Sequence, residues 1–157
     1  MTSYSDLIAS VQKYNWTTDK LKQLFDLFLV NTAYADQTTL TTYSTSTYTT
    51  IGSLSHTVTV SNGDVIVLIA NGRYSVNSTS TAGNIQLAKD GTQLMFRSLT
   101  DDSGTSTGYA AGWSMAYIDS ISAGGTVTYT CDARRSSGSN VFYIAQADLT
   151  LIQFTAS

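Results

Sequence analysis

Few residues of this chain are of the kinds that do chemistry, and their spacing limits what that chemistry can be. His56 is the only histidine, so any Ser-His-Asp arrangement would have to use it. It alternates with Val58 and Val60 in a run of strand character, where a structural histidine is the expectation. Cys131 is the only cysteine, which excludes an intramolecular disulfide. One thiol and one imidazole do not compose a zinc site, and Cys131 within Thr126–Asp132 reads as a small buried hydrophobe. Asp101-Asp102-Ser103-Gly104 offers oxygens of the type calcium takes. It lacks the ordered ligand pattern of an EF-hand and reads as a polar turn. The same adjacent pair comes nearest to the two carboxylates of a glycosidase, but neighbours in one loop do not flank a bond from both sides. Gly124-Gly125 precedes a strand-like run rather than a helix, unlike a phosphate-binding loop. The expectation is a non-enzymatic protein, with no metal and no cofactor.

Aromatic residues offer a different chemistry. Tyr109, Trp113 and Tyr117 occupy alternate positions with Ala111 and Met115, so all five share one face of a strand. The three rings would make a platform for stacking on a sugar. Ala111 and Met115 on the same face favour the plainer reading, a part of the core or of a subunit interface.

The bulk composition bounds the partners. At 157 residues the chain fits one domain with a short appendage. Charged residues are 12%, about half of ordinary usage, while 42% hydrophobic and 11% aromatic content argues for a folded body. There is no Pro, and every acidic residue is Asp, a turn and cap former. A net charge of −3 argues against nucleic acid, which needs clustered Lys and Arg. The one adjacent basic pair, Arg134-Arg135, falls in a Ser/Gly-rich stretch and reads as a solvated loop. No apolar stretch approaches the roughly 20 residues of a membrane span. Ala33-Tyr34-Ala35 has the form of a signal cleavage site, but Leu24–Val30 is short and interrupted by Asp26, with Lys20 and Lys22 before it. An amphipathic helix end is the expectation there.

The elements that would position these residues change character at about Asp36. Residues 3–14 suggest a short helix, with Leu7, Ile8, Val11 and Tyr14 on one face. Thr17-Thr18-Asp19 starts a second, in which Leu21, Leu24, Phe25 and Phe28 recur at i, i+3, i+4, i+7, with Lys20, Lys22, Gln23 and Asp26 opposite. Residues 1–36 are thus expected to form a helix–break–helix docking arm, whose apolar stripe needs a partner: its own body, another subunit or a larger assembly. Residues 37–54, rich in Thr and Ser, read as an extended connector or edge strand.

From Ser55 to the end the pattern is that of short strands and turns. Ser61-Asn62-Gly63-Asp64 and Lys89-Asp90-Gly91 mark turns, and Leu99–Thr107 and Ser136–Asn140 read as loops. A long strand region, Val141–Phe154, bends near Ala147. Seven or eight antiparallel strands over residues 55–157 predict a mainly β fold, a jelly-roll β-sandwich. Two runs stand out: Val65, Val67 and Ile69 within Val65–Ala70, and Leu149, Leu151 and Phe154 within Leu149–Phe154. Both runs are apolar on the two faces of a strand. Antiparallel sandwich strands ordinarily wet one face. A cover is therefore expected, the arm or another copy, and a homo-oligomer is favoured, with these six residues in its interface or core.

The series TVTVSNGDVIVLIANGRYSV, NIQLAKDGTQL, YIDSISAGGTVTYTCDA and ADLTLIQF resembles the small jelly-roll domains of tailed-phage structural proteins. These include head decoration or cement proteins and the knobs of trimeric fibres, similar in architecture to the tumour-necrosis-factor-like and C1q-like trimers. The resemblance covers residues 55–157 and offers no catalytic motif. It implies a virion protein assembled in the host cytoplasm, a homotrimer partnered by the major capsid protein or another virion protein, with Leu21, Leu24, Phe25 and Phe28 anchoring the arm. The alternative is a tail-fibre tip or small tail protein that binds host glycans through Asn77–Gly83, Leu99–Gly108 and Arg134–Asn140. A cellular C1q-like module fits less well without disulfides.

Overall fold

The computed structural model describes residues 29–76, 81–100, 111–138 and 141–155. They form nine strands: β1 (Leu29–Gln37), β2 (Thr41–Tyr43), β3 (Thr49–Val60), β4 (Val65–Val76), β5 (Ala82–Lys89), β6 (Thr92–Thr100), β7 (Ala111–Ser120), β8 (Gly125–Ser137) and β9 (Phe142–Phe154). One sheet runs β1-β9-β4-β7, with β2 also on β9; the other runs β3-β8-β5-β6. Every pairing is antiparallel.

The strand alternation read from the sequence puts one side of each sheet into a shared core. Ile66, Leu68 and Ala70 of β4 and Leu149 and Leu151 of β9 face Ile85 and Leu87 of β5 and Tyr129, Cys131 and Ala133 of β8 across the sandwich, all fully buried. Each large apolar side chain buried in this way contributes roughly 1.5–3 kcal/mol. The β5–β6 hairpin turns at Asp90 and Gly91, whose φ angles of 48° and 78° suit the type I′ turn that the Asp-Gly pair predicts.

The sequence expectation errs in several places. The sandwich has more than the expected seven or eight strands because it begins earlier than Ser55. Residues 29–36, assigned to the helical arm, lie in β1, which pairs with β9 from Leu29↔Phe154 to Gln37↔Ala147. Ala33 and Ala35 pack against the core while Thr32, Tyr34 and Asp36 point out, so a period of two replaces the helical spacing that ends at Phe28. Residues 1–28, with Leu21, Leu24, Phe25 and Phe28, lie outside the described residues.

Residues 37–54, read as a connector or edge strand, supply β2 and the start of β3, each of which pairs with a single neighbouring strand. Between Thr50 and Ser55 the pairing of β3 with β8 shifts register. Gly52, at φ 51°, sits in this bulge, and Ile51 and Leu54 on either side of it are both fully buried. The bulge is how a segment of low apolar content contributes to the core. Leu99 belongs to β6 and is buried rather than in a polar loop, and Arg134-Arg135, read as a solvated loop, lies in β8. The bend expected near Ala147 corresponds to a register shift opposite Arg73 and Tyr74, which pair with Gln146 and Ile144 and leave Ala145 as the extra residue.

Candidate functional site

The polar side chains inside the sandwich serve as ties between its parts. Asp119 of β7 points inward and accepts hydrogen bonds from the Tyr129 hydroxyl of β8 at 2.6 Å and the Lys89 ammonium of β5 at 2.8 Å. The Lys89 ammonium also lies 5.9 Å from the Tyr129 ring centroid. His56 of β3 reaches the Leu149 carbonyl of β9 at 3.1 Å, for which its Nε2 carries the proton. Burial pushes the Cys131 thiol well up, so it stays protonated and unreactive. Burial and then the bond to Asp119 push Tyr129 up as well. Among the described residues no three of His, Cys, Asp and Glu stand together as ligands for a metal.

The two outer faces differ sharply. On the β3-β8-β5-β6 sheet the outer face is polar. Thr57 and Thr128 share a hydrogen bond of 2.9 Å, and the Gln86 amide donates to Asp132 at 2.9 Å. The Arg134 guanidinium lies 4.4 Å from the Tyr48 ring centroid and donates to the Ser46 carbonyl. Phe96, 54% exposed, is an isolated large apolar side chain there.

On the β1-β9-β4-β7 sheet the register builds an apolar patch. Phe154 lies beside Val65; Ile152 lies between Thr32 and Val67, with Ile118 beyond; Thr150 lies between Tyr34 and Ile69. Tyr34 is 66% and Ile118 65% exposed, and the β4 and β9 members are half-buried by one another. The patch gives way along the strands to Asp36, Asp148 and Asn71, whose amide donates to Asp148 at 3.2 Å, and then to exposed Arg73. This face, apolar toward one end and charged toward the other, is the candidate functional site.

The six two-sided residues separate cleanly. Leu149 and Leu151 are core, whereas Val65, Val67, Ile69 and Phe154 lie on the outer face. Ile152, within the Leu149–Phe154 run, joins them, and Ile118 and Tyr34 complete the patch; those two were missed, because a lone exposed apolar residue in a strand carries no signal until the register is known. The aromatic platform does not form. Trp113 is 4% exposed and Tyr117 packs against the core, so neither ring offers a face to a sugar; Tyr109 lies outside the described residues.

The register also sorts the ends of the sandwich. Val76 pairs with Phe142, Ala82 with Thr100 and Ser137, and Tyr74 with Ala111. The β4–β5, β6–β7 and β8–β9 connections therefore leave from one end. Leu29 and Phe154 lie together at the other end, the apolar end of the patch.

No protein-family model matches the chain, and no curated protein matches it. Solved structures share its fold. Eiger, a TNF from S. frugiperda, superposes with a TM-score of 0.50 at 10% identity over 80% of this chain and 94% of that one. A chain of the infectious bursal disease virus Gx strain gives 0.50 at 12% identity over 78% of this chain and 32% of that one, so the present chain spans about a third of it. The fold is thus a jelly-roll β-sandwich resembling those of Eiger TNF and of the infectious bursal disease virus chain.

Proposed function

We propose that the chain is a non-enzymatic structural protein of a tailed-phage virion, a homotrimer that decorates or cements the capsid shell. The observation that carries this reading is the apolar outer face of the β1-β9-β4-β7 sheet. Burying one exposed Ile or Tyr contributes roughly 1.5–3 kcal/mol, so a patch with Ile118 and Tyr34 mostly open favours association with a like surface. A TNF-like jelly roll suits closed threefold packing of such faces, as the family resemblance implies. The arm of residues 1–28 then meets the shell or a neighbouring copy. Neither nucleic acid nor a membrane is a partner in this reading. The sandwich end that carries the β4–β5, β6–β7 and β8–β9 connections lies opposite Leu29, which suits a body displayed on a particle.

The glycan-binding fibre tip is the weaker reading, because burial of Trp113 removes its stacking platform and leaves only the loops. Co-sedimentation of the full chain with separated heads and tails of its phage tests the choice. Saturable binding to heads, lost when residues 1–28 are removed, is expected. Binding to tails alone, or to host cells and not to heads, rejects the shell role.

A further inference from the structure

We propose that the copies join in a closed ring with the β1 edge of one against the β7 edge of the next. Asp36 of each copy then pairs with Arg97 of its neighbour. The inference rests on the threefold reading above and names the residues that fix which edges meet and at what height.

The register places unlike charges at one level on the two edges of the β1-β9-β4-β7 sheet. Asp36 of β1 lies beside Asp148 of β9, Asp148 beside Asn71 of β4, and Asn71 beside Ser114 of β7. At the end of that row Arg97, from β6 of the other sheet, donates from its guanidinium to the Ser114 carbonyl at 3.2 Å. One edge of the row therefore carries an exposed carboxylate and the other an exposed guanidinium. One row farther along, Arg73 is exposed too. Its neighbour on β7 is Gly112, which leaves Arg73 uncovered toward the same edge. Among the described residues neither the Asp36 carboxylate nor the Arg73 guanidinium has a partner within the chain.

The apolar rows divide between the same two edges. Tyr34, 66% exposed, stands on β1 and Ile118, 65% exposed, on β7, while the β4 and β9 residues between them half-bury one another. In a closed ring every contact joins two different edges. Rotation about an axis along the strands keeps each residue at its own height, so each row meets the same row of the next copy. Asp36 then faces Arg97 with Arg73 close by, and the Tyr34 edge faces the Ile118 edge. Contact between like edges would instead set Asp36 against Asp36 and Arg97 against Arg97. Exposed ion pairs add little affinity, so the apolar rows supply the association and the charges select the edges.

The test reverses these charges in the full chain: Asp36→Arg, Arg97→Asp and the two together. Each variant is sedimented beside the unaltered chain at one protein concentration, with circular dichroism to check that the β fold is kept. Either reversal alone sets like charges across three equivalent contacts. Weakening of roughly tenfold at each compounds to about a thousandfold in the trimer's formation constant. The expected result is a trimer for the unaltered chain, a monomer for each single reversal and a trimer again for the double. Single reversals that remain trimeric, or a double reversal that stays monomeric, overturn the pairing and leave the threefold reading standing. An unaltered chain that sediments as a monomer or a dimer overturns that reading and the ring with it.

Discussion

Gln153 and Asp64 meet in the interior at the apolar end of the sandwich, where the Gln153 amide donates to Asp64 Oδ2 at 2.8 Å and to the Thr59 carbonyl at 3.0 Å. The same carboxylate oxygen accepts from the Ser61 backbone N–H at 2.9 Å, and the Asp64 carbonyl accepts from Ile121 N–H at 2.8 Å. Both side chains are 3% exposed. Asp64 thus ties the β3–β4 turn to the end of β9 through its carboxylate and to the β7–β8 turn through its backbone carbonyl.

Asp64→Ala removes the acceptor of the Ser61 N–H and one of the two acceptors of the Gln153 amide, which keeps the Thr59 carbonyl. Each buried unsatisfied donor costs roughly 1–3 kcal/mol, so the loss is expected to be about 2–4 kcal/mol. Urea unfolding followed by tryptophan fluorescence reads it as a lower midpoint at unchanged slope. A shift below about 0.5 kcal/mol, the range of ordinary surface changes, would contradict the tie.

Stability is expected to fall in alkali. Burial, with Cys131 and Asp132 nearby, pushes Tyr43 up from 10.0 to about 12. Tyr129 and Cys131 are raised too, chiefly by burial, from ordinary values of 10.0 and 9.0. In the unfolded chain these groups release protons from about pH 9–10 upward, while the folded chain retains them. The unfolded state then binds fewer protons, so stability is intact below pH 9 and declines above it. Urea midpoints measured from pH 8 to 11 should trace that decline. Tyr129→Phe should make the decline shallower, and an unchanged slope would show that Tyr129 titrates alike in both states.

How much of this was legible in the sequence depended on whether a residue's partner lay along the chain or across the sheet. The alternation in Thr57–Val60 and the Lys89-Asp90-Gly91 turn are local signals, and both became the strand and hairpin they indicate. Val65–Ala70 disclosed that an outer face was apolar, but only pairing with β7 and β9 shows Ile118, Ile152 and Tyr34 beside it. Trp113 misled in the opposite sense. Alternation puts its ring on one face with Tyr117 and does not say whether that face looks inward. Residues 29–36 failed for a third reason: Leu29 and Val30 continue the helical stripe by composition, and the pairing of the segment with β9 overrides it.

Trp113→Ala is accordingly expected to act on the fold. Removing a large ring from a packed core costs about 3–5 kcal/mol, including the cavity left behind. Thermal unfolding should show a lower Tm, and Trp113→Phe should recover much of it. A variant with wild-type Tm that has lost binding to a glycan would return the ring to the surface role and revive the fibre-tip reading.

The sharpest prediction contrasts two exposed apolar side chains on opposite sheets. Ile118 is 65% exposed and Phe96 54%, so neither is much needed by the isolated body, and Asp at either site should change monomer stability by only about 0.5 kcal/mol. Ile118 stands in register with Val67 and Ile152 in the apolar patch, whereas Phe96 pairs with Gln86 on a polar face. If copies meet through the patch, Ile118→Asp places a charge in each of three equivalent contacts. It should shift the sedimentation profile of the full chain from trimer to monomer, with Phe96→Asp left as trimer. Ile152→Asp should behave as Ile118→Asp does, since the two flank Val67. A trimer that survives both patch variants would mean that copies associate through another surface, and one that yields only to Phe96→Asp would move the contact to the other sheet.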